Sequence, residues 1–145
     1  MIFAFILCLL FGFMQGTIAA NPSHSDYVCV IPIKGVIDRG LIAFVERGIR
    51  EAEEMKAKAL VFEISTPGGE VGAAIQMSKA ILKTSIPTVS FINNEATSAG
   101  VIIAISSKTI MAVPGATIGA AETRPKEEKY ISYWSSALRG VAENT

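Results

Sequence analysis

Two glycine-containing breaks in the chain hold residues that could do chemistry together. The first is Thr66-Pro67-Gly68-Gly69, after an apolar run. The second is Thr97-Ser98-Ala99-Gly100, before another. Alone, each reads as structure: Pro-Gly-Gly is tight-turn composition, and a serine that opens a helix is an N-cap. Together they supply the parts of acyl transfer. A glycine pair lets the backbone expose N–H groups at a strand end. A serine at a helix start brings the next residue's N–H to the same space, with the helix dipole favouring an anion. Ser98 is therefore the candidate nucleophile, and the N–H groups of Gly69 and Ala99 are the candidate oxyanion hole. Each such donor contributes about 3–4 kcal/mol to transition-state stabilisation.

An activating base is harder to find. The only histidine, His24, sits in a polar stretch near the N-terminus, a poor place from which to reach a core serine. That disfavours a Ser-His-Asp triad. A lysine can serve if desolvation keeps it neutral, and Lys108, Lys126 and Lys129 lie downstream. Helical phase groups Lys129 with Ser132, Tyr133, Ser136 and Gly140, away from the most apolar side. Spacing alone does not choose among the three.

The elements that must position these residues follow from periodicity. Val28–Ile33, Ala59–Ile64, Thr88–Ile92 and Thr109–Val113 are short apolar or β-branched runs that read as strands. Between them, Leu41–Lys58 and Val71–Lys83 carry apolar residues at helical spacing. Asn93-Asn94-Glu95 reads as a turn and Ser98–Ser106 as a buried helix. Ala120–Glu128 is a polar loop, and Lys129–Glu143 is a last helix with Tyr130, Trp134, Ala137, Leu138 and Val141 on one side. Strand–helix alternation with short links predicts an α/β layered domain, its strands mostly parallel and joined by crossover helices.

The ends and the composition set further bounds. Residues 1–20 carry no charged side chain, and an apolar core gives way to Thr17-Ile18-Ala19-Ala20. This reads as a secretory signal peptide; the apolar run is shorter than the roughly 20 residues of a membrane span. Residues 21–27 form a polar linker, and 28–145 the domain. Formal net charge is zero, which offers nothing to nucleic acid. Of the two cysteines, Cys8 lies in the signal-like segment. That leaves Cys29, between Val28 and Val30, as a small buried hydrophobe rather than half of a disulfide. No cluster has metal-ligand spacing, and no cofactor is implied.

Three ordered stretches carry a family resemblance: Val61–Glu70, Ala96–Gly100 and Met111–Ala120. They resemble the ClpP-class serine proteases of the ClpP/crotonase superfamily, above all the membrane-bound NfeD-like group. The resemblance runs from about Val28 to Ala142. It implies a Ser-Lys dyad in which the motif serine falls on Ser98 and the helix-opening lysine on Lys129. It places the oxyanion donors at Gly69 and Ala99, and Gly68 and Val71 beside the bound substrate. It further implies an exported, membrane-associated homo-oligomer that cuts apolar peptide segments of membrane-proximal proteins. Members usually continue past this point, many with transmembrane helices and a small β-barrel domain, so the chain reads as a fragment. Two rivals stand beside the protease: an acyl-CoA-handling crotonase, and a catalytically inactive module of the same fold that serves as a membrane-associated scaffold.

Overall fold

The computed structural model describes residues 27–122 and 126–144. The signal-like segment, His24 and most of the polar linker lie outside the described residues.

The order is β1 (Val28–Lys34), α1 (Arg39–Glu54), β2 (Ala59–Thr66), α2 (Val71–Lys83), β3 (Thr88–Thr97), α3 (Gly100–Ala104), β4 (Thr109–Ala112), β5 (Thr117–Gly119) and α4 (Glu128–Ala142). The five strands form one parallel sheet in the order β1-β2-β3-β4, with β5 also paired to β3. This is the α/β layered fold that the alternation of elements predicts.

Strands laid down in sequential order by right-handed crossovers carry their helices on a single face. Side-chain contacts agree. A methyl group at Gly48 of α1 would lie 3.0 Å from Ile31 Cδ1, so this helix runs close over the face of Ile31. Ser90, two registers away on that face, bonds Ser107 after α3 at 2.9 Å. The Ser106 hydroxyl is hydrogen-bonded to that of Ser78 on α2, 2.7 Å away. The core between the layers holds Ile31, Ile33, Leu60, Phe62, Ile64 and Ile92 from the strands. Val45, Met77, Ile81, Ile102 and Ile103 face them from the helices. Each such side chain contributes roughly 1.5–3 kcal/mol by leaving water. On the opposite face, Val28, Val30 and Met111 remain more than half exposed. Among the described residues, no helix is long and apolar enough to cross a membrane.

Helix α1 begins where Asp38 caps it, its carboxylate accepting 2.8 Å from Leu41 N–H. Helix α2 spans the predicted residues, and β1, β2, α1 and α4 fall within a few residues of prediction.

Two predictions are corrected and one element is added. Asn93-Asn94-Glu95 is not a turn: β3 runs through it for ten residues. Ile64 pairs with Ile92 but Thr66 with Ala96, so the polar residues occupy a bulge and the strand continues. The buried helix predicted over 98–106 shrinks to the five residues of α3, with Ser98 outside it. Finally, β5 has no counterpart in the predicted elements; three residues are too few to show a period. Cys29 proves half-buried, with burial, and then the Glu51 charge, raising its thiol pKa.

At the C-terminal end of β1 and β2, Lys34 Nζ lies 2.9 Å from Glu63, which also accepts 2.8 Å from Asn93 in the bulge. The Lys34 and Asn93 hydrogen bonds hold the Glu63 carboxyl below its usual range. A carboxylate with a depressed folded pKa stabilises the fold above its unfolded value and loses that contribution as pH falls through the folded one. Glu63→Gln should therefore flatten the acid side of the stability profile. Urea unfolding of both proteins from pH 7 down to pH about 3 checks this. The two curves are expected to converge as the pH falls.

Candidate active site

The site forms where the loop after β2 meets the corner after β3. Register carries both strands to the same end of the sheet. Beyond Thr66, the residues Pro67-Gly68-Gly69 leave the ladder, and Ile37 forms a parallel bridge to Gly69. In that bridge Ile37 N–H donates to Gly68 O and Glu70 N–H donates to Ile37 O, both at 2.9 Å. The residue at the centre of a parallel bridge turns its own N–H away from that partner. Gly69 N–H therefore points away from Ile37, to the side of β2 on which β3 lies.

Both glycines are required here. Gly68 has φ +103° and Gly69 φ +155°. A β carbon on Gly68 would sit 2.8 Å from Ser98 Cβ and 3.1 Å from Ala99 N; one on Gly69 would collide with the Ile37 backbone. Gly68 is thus in direct apposition to the serine.

Ser98 itself has φ +53°, a left-handed conformation that is costly for a residue other than glycine. Its N–H donates 2.9 Å to Gly119 O, which extends the β3–β5 pairing by one residue. The chain then turns through Ala99 into α3. Ser98 is half-buried and Ala99 buried. This differs from the N-cap geometry expected of Ser98. A helix of five residues has little dipole, so an anion here depends on individual N–H groups.

The structure thus brings together Ser98, Ala99 and Gly68, with Gly69 alongside. Val71 opens α2 two residues after Gly69 and is half-buried. The lysines are placed differently. Lys129, on the first turn of α4, is 70% exposed, lies 3.5 Å from Glu127 and stacks 4.8 Å from the Tyr130 ring centroid. Lys126 pairs with Glu122 at 2.8 Å in solvent. Lys108 N–H bonds Thr88 Oγ1 at 3.0 Å, at the far end of β3, about 30 Å from Ser98 at strand rise. Topology removes Lys108 from consideration. Among the described residues, no hydrogen bond joins Ser98 Oγ to a base.

Helix α4 is anchored by Trp134, which is buried and donates 2.9 Å from Nε1 to Ala121 O. Tyr130, Ile131 and Tyr133 on its first turns are exposed. Thr66 and Gly100 are site-forming residues that the motifs alone do not single out. Buried Thr66 underlies the Gly68 loop, and its Cγ2 would lie 2.7 Å from a β carbon on Gly100. Both lie inside the two glycine-containing breaks, but the close packing that gives them a role exists only in the folded chain.

A single-faced parallel sheet with a left-handed serine opposed to a Gly-Gly loop defines an α/β fold of the ClpP-like protease type. Solved structures agree. A lysine-to-alanine variant of the 1510-N membrane-bound stomatin-specific protease, in complex with a substrate peptide, superposes with a TM-score of 0.76. It is 28% identical, with 81% of this chain and 59% of that one covered. A serine-to-alanine variant of the same protease gives 0.74 at 28% identity, covering 81% and 63%. ClpP1 of Listeria monocytogenes, 19% identical over 81% of this chain and 72% of that one, has the same fold with a TM-score of 0.66.

Residues 27–145 match the NfeD1b N-terminal domain, and the chain belongs to that family. It is 32% identical over 125 residues to membrane protein NfeD1b of Bacillus subtilis, covering 83% of this chain and 29% of the relative. It is 35% identical over 98 residues to the membrane-bound protease PH1510 of Pyrococcus horikoshii, covering 66% and 22%. The chain thus spans less than a third of the length of these curated relatives. It is related to a membrane-bound protease and to proteins named for the membrane.

The close approach of Gly68 to Ser98 leads to a prediction. Gly68→Ala should cost roughly 1–3 kcal/mol through strain and overpacking. Gly72→Ala, in open space on α2, should change stability by no more than about 1 kcal/mol and in the favourable direction. Urea unfolding of the two variants checks the contrast.

Proposed function

We propose that this domain is a serine endopeptidase that cuts apolar peptide segments at or near a membrane. The observation that carries the reading is the left-handed Ser98, set at the strand end against Gly68. Strain of this kind is retained where the surroundings over-determine it, as at a nucleophile. In the proposed reaction Ser98 Oγ attacks the peptide carbonyl carbon, and Lys129 Nζ takes the hydroxyl proton. Gly69 and Ala99 N–H groups hold the carbonyl oxygen as it becomes an oxyanion. The C–N bond then breaks, the leaving amine takes the proton from Lys129, and water hydrolyses the acyl-serine. Gly68 and Val71 flank the peptide.

Relatedness supports the reading. The solved relatives include a serine and a lysine variant, and one holds a substrate peptide. The relative's stomatin specificity points to a membrane-associated protein as the class of substrate. We place the domain on the extracytoplasmic face, exported by the segment 1–20, as part of a membrane-associated homo-oligomer, with no cofactor. The exposure of Lys129 adds a requirement. Its Nζ becomes a base only when bound peptide or neighbouring protein covers the first turn of α4, where Tyr130 and Tyr133 stand exposed, and displaces Glu127. Desolvation then disfavours the charged amine. A second reading draws on the same exposure: a module of this fold that binds without cutting.

A fluorophosphonate probe decides between them. Labelling of the full chain is expected, abolished in Ser98→Ala and slowed by at least about a hundredfold in Lys129→Ala. Labelling that survives Lys129→Ala unchanged would keep the hydrolase and remove the dyad. A folded wild-type protein that is not labelled would leave the binding module.

A further inference from the structure

Thr66 ends β2 with no exposed surface, and its side chain touches three segments at once. The hydroxyl donates 2.6 Å to Gly35 O, in the turn after β1. The same oxygen accepts 3.0 Å from Gly68 N–H. A longer approach of 3.5 Å to Gly68 O competes for the single hydroxyl proton, and the shorter contact to Gly35 O takes it. The methyl group occupies the space that a β carbon on Gly100 would need, 2.7 Å from that position.

One side chain thus ties the β1 turn to the Gly68-Gly69 loop through its oxygen, and rests against the start of α3 through its methyl. The tie bears on orientation. Gly68 sits at φ +103°, and its peptide unit leads into Gly69. With Gly68 N–H held by Thr66 and Gly68 O held by Ile37 N–H, both ends of the residue are fixed, and the plane of the next N–H is fixed with them. Glycine pairs otherwise have wide backbone freedom. Without the Thr66 oxygen, a buried Gly68 N–H and a Gly35 carbonyl would lose their partner, at a cost that a backbone flip relieves.

We propose that Thr66 is a positioning residue: through its hydroxyl it holds the Gly68-Gly69 loop in the orientation that aims Gly69 N–H at the oxyanion. This rests on the serine-hydrolase reading for its catalytic consequence, but the positioning itself does not. Two substitutions separate the parts of the side chain. Thr66→Val keeps the shape against Gly100 and removes the oxygen. Thr66→Ser keeps the oxygen and removes the methyl.

The fluorophosphonate reagent forms a tetrahedral adduct whose oxygen occupies the oxyanion hole, so its labelling rate reads the hole. Measured on the full chain well below the melting transition of each variant, Thr66→Val is expected to label at least about tenfold more slowly, a fraction of the loss from deleting a whole donor. Thr66→Ser should retain a rate within about threefold of wild type. A Thr66→Val protein that labels at the wild-type rate would overturn the proposal. So would a Thr66→Ser protein as slow as Thr66→Val, because then packing and not the hydroxyl sets the rate.

If wild type is not labelled at all, the hydrolase reading fails and amide hydrogen exchange tests the positioning alone. Thr66→Val should speed exchange at Gly68 by about fivefold or more, the size of one lost hydrogen bond, with Thr66→Ser unchanged. Equal Gly68 exchange in wild type and Thr66→Val would sink it.

Discussion

Where the loop after β2 meets the corner after β3, there is no room for a β carbon. Gly68 lies against Ser98, Gly69 against the backbone of Ile37, and Gly100 against Thr66. Protein interiors do not yield to an added methyl without shifting backbone, so this close approach constrains everything around it. It demands left-handed or extended glycine backbone on one side and a left-handed serine on the other. It also explains why the strands run to unequal lengths. β3 needs its bulge at Asn93-Asn94 to bring Ser98 to the level of Gly68, and it needs β5 to accept the Ser98 N–H once β4 has ended.

The strain at Ser98 is held in place by ordinary structure. Leu60, Phe62 and Ile64 are buried under the helices, and parallel pairing over seven residues locks β1 to β2. The Lys34–Glu63–Asn93 cluster ties three strands together just before the site. A site on strand ends and the short turns between them is more rigid than one on a long loop. The side chain proposed as base has no such support. Lys129 stands on a helix anchored further along by Trp134, with its charge in water and paired to Glu127. The two halves of the proposed dyad are thus built to different tolerances: a fixed serine and a lysine whose surroundings must change.

Among the described residues, the same sheet has helices on one face alone. Sequential right-handed crossovers make this unavoidable, and parallel sheets are rarely stable with a face in water. Val28, Val30 and Met111 are exposed there. The relatives extend well beyond the region matched here.

Periodicity by itself determined the alternation of strand and helix and the extent of α2. These are local: an apolar stripe at helical or strand spacing needs no partner to be recognised. The glycine pairs also marked the two corners, because only a special backbone needs them. Other features came from tertiary structure alone. Asn93-Asn94-Glu95 carries the composition of a turn, and only pairing with β2 and β5 makes it a bulged strand. Thr117–Gly119 has no period to read, and it exists as a strand because β3 offers an edge. Ser98 has the sequence position of an N-cap, yet it lies outside α3 and its N–H donates to the carbonyl of Gly119, twenty-one residues away in the chain. Phase correctly set Lys129 apart from the apolar side of its helix, but phase says nothing of what lies opposite. Its exposure is decided by how α4 docks through Trp134, and docking depends on contacts between segments that no single stretch of sequence contains.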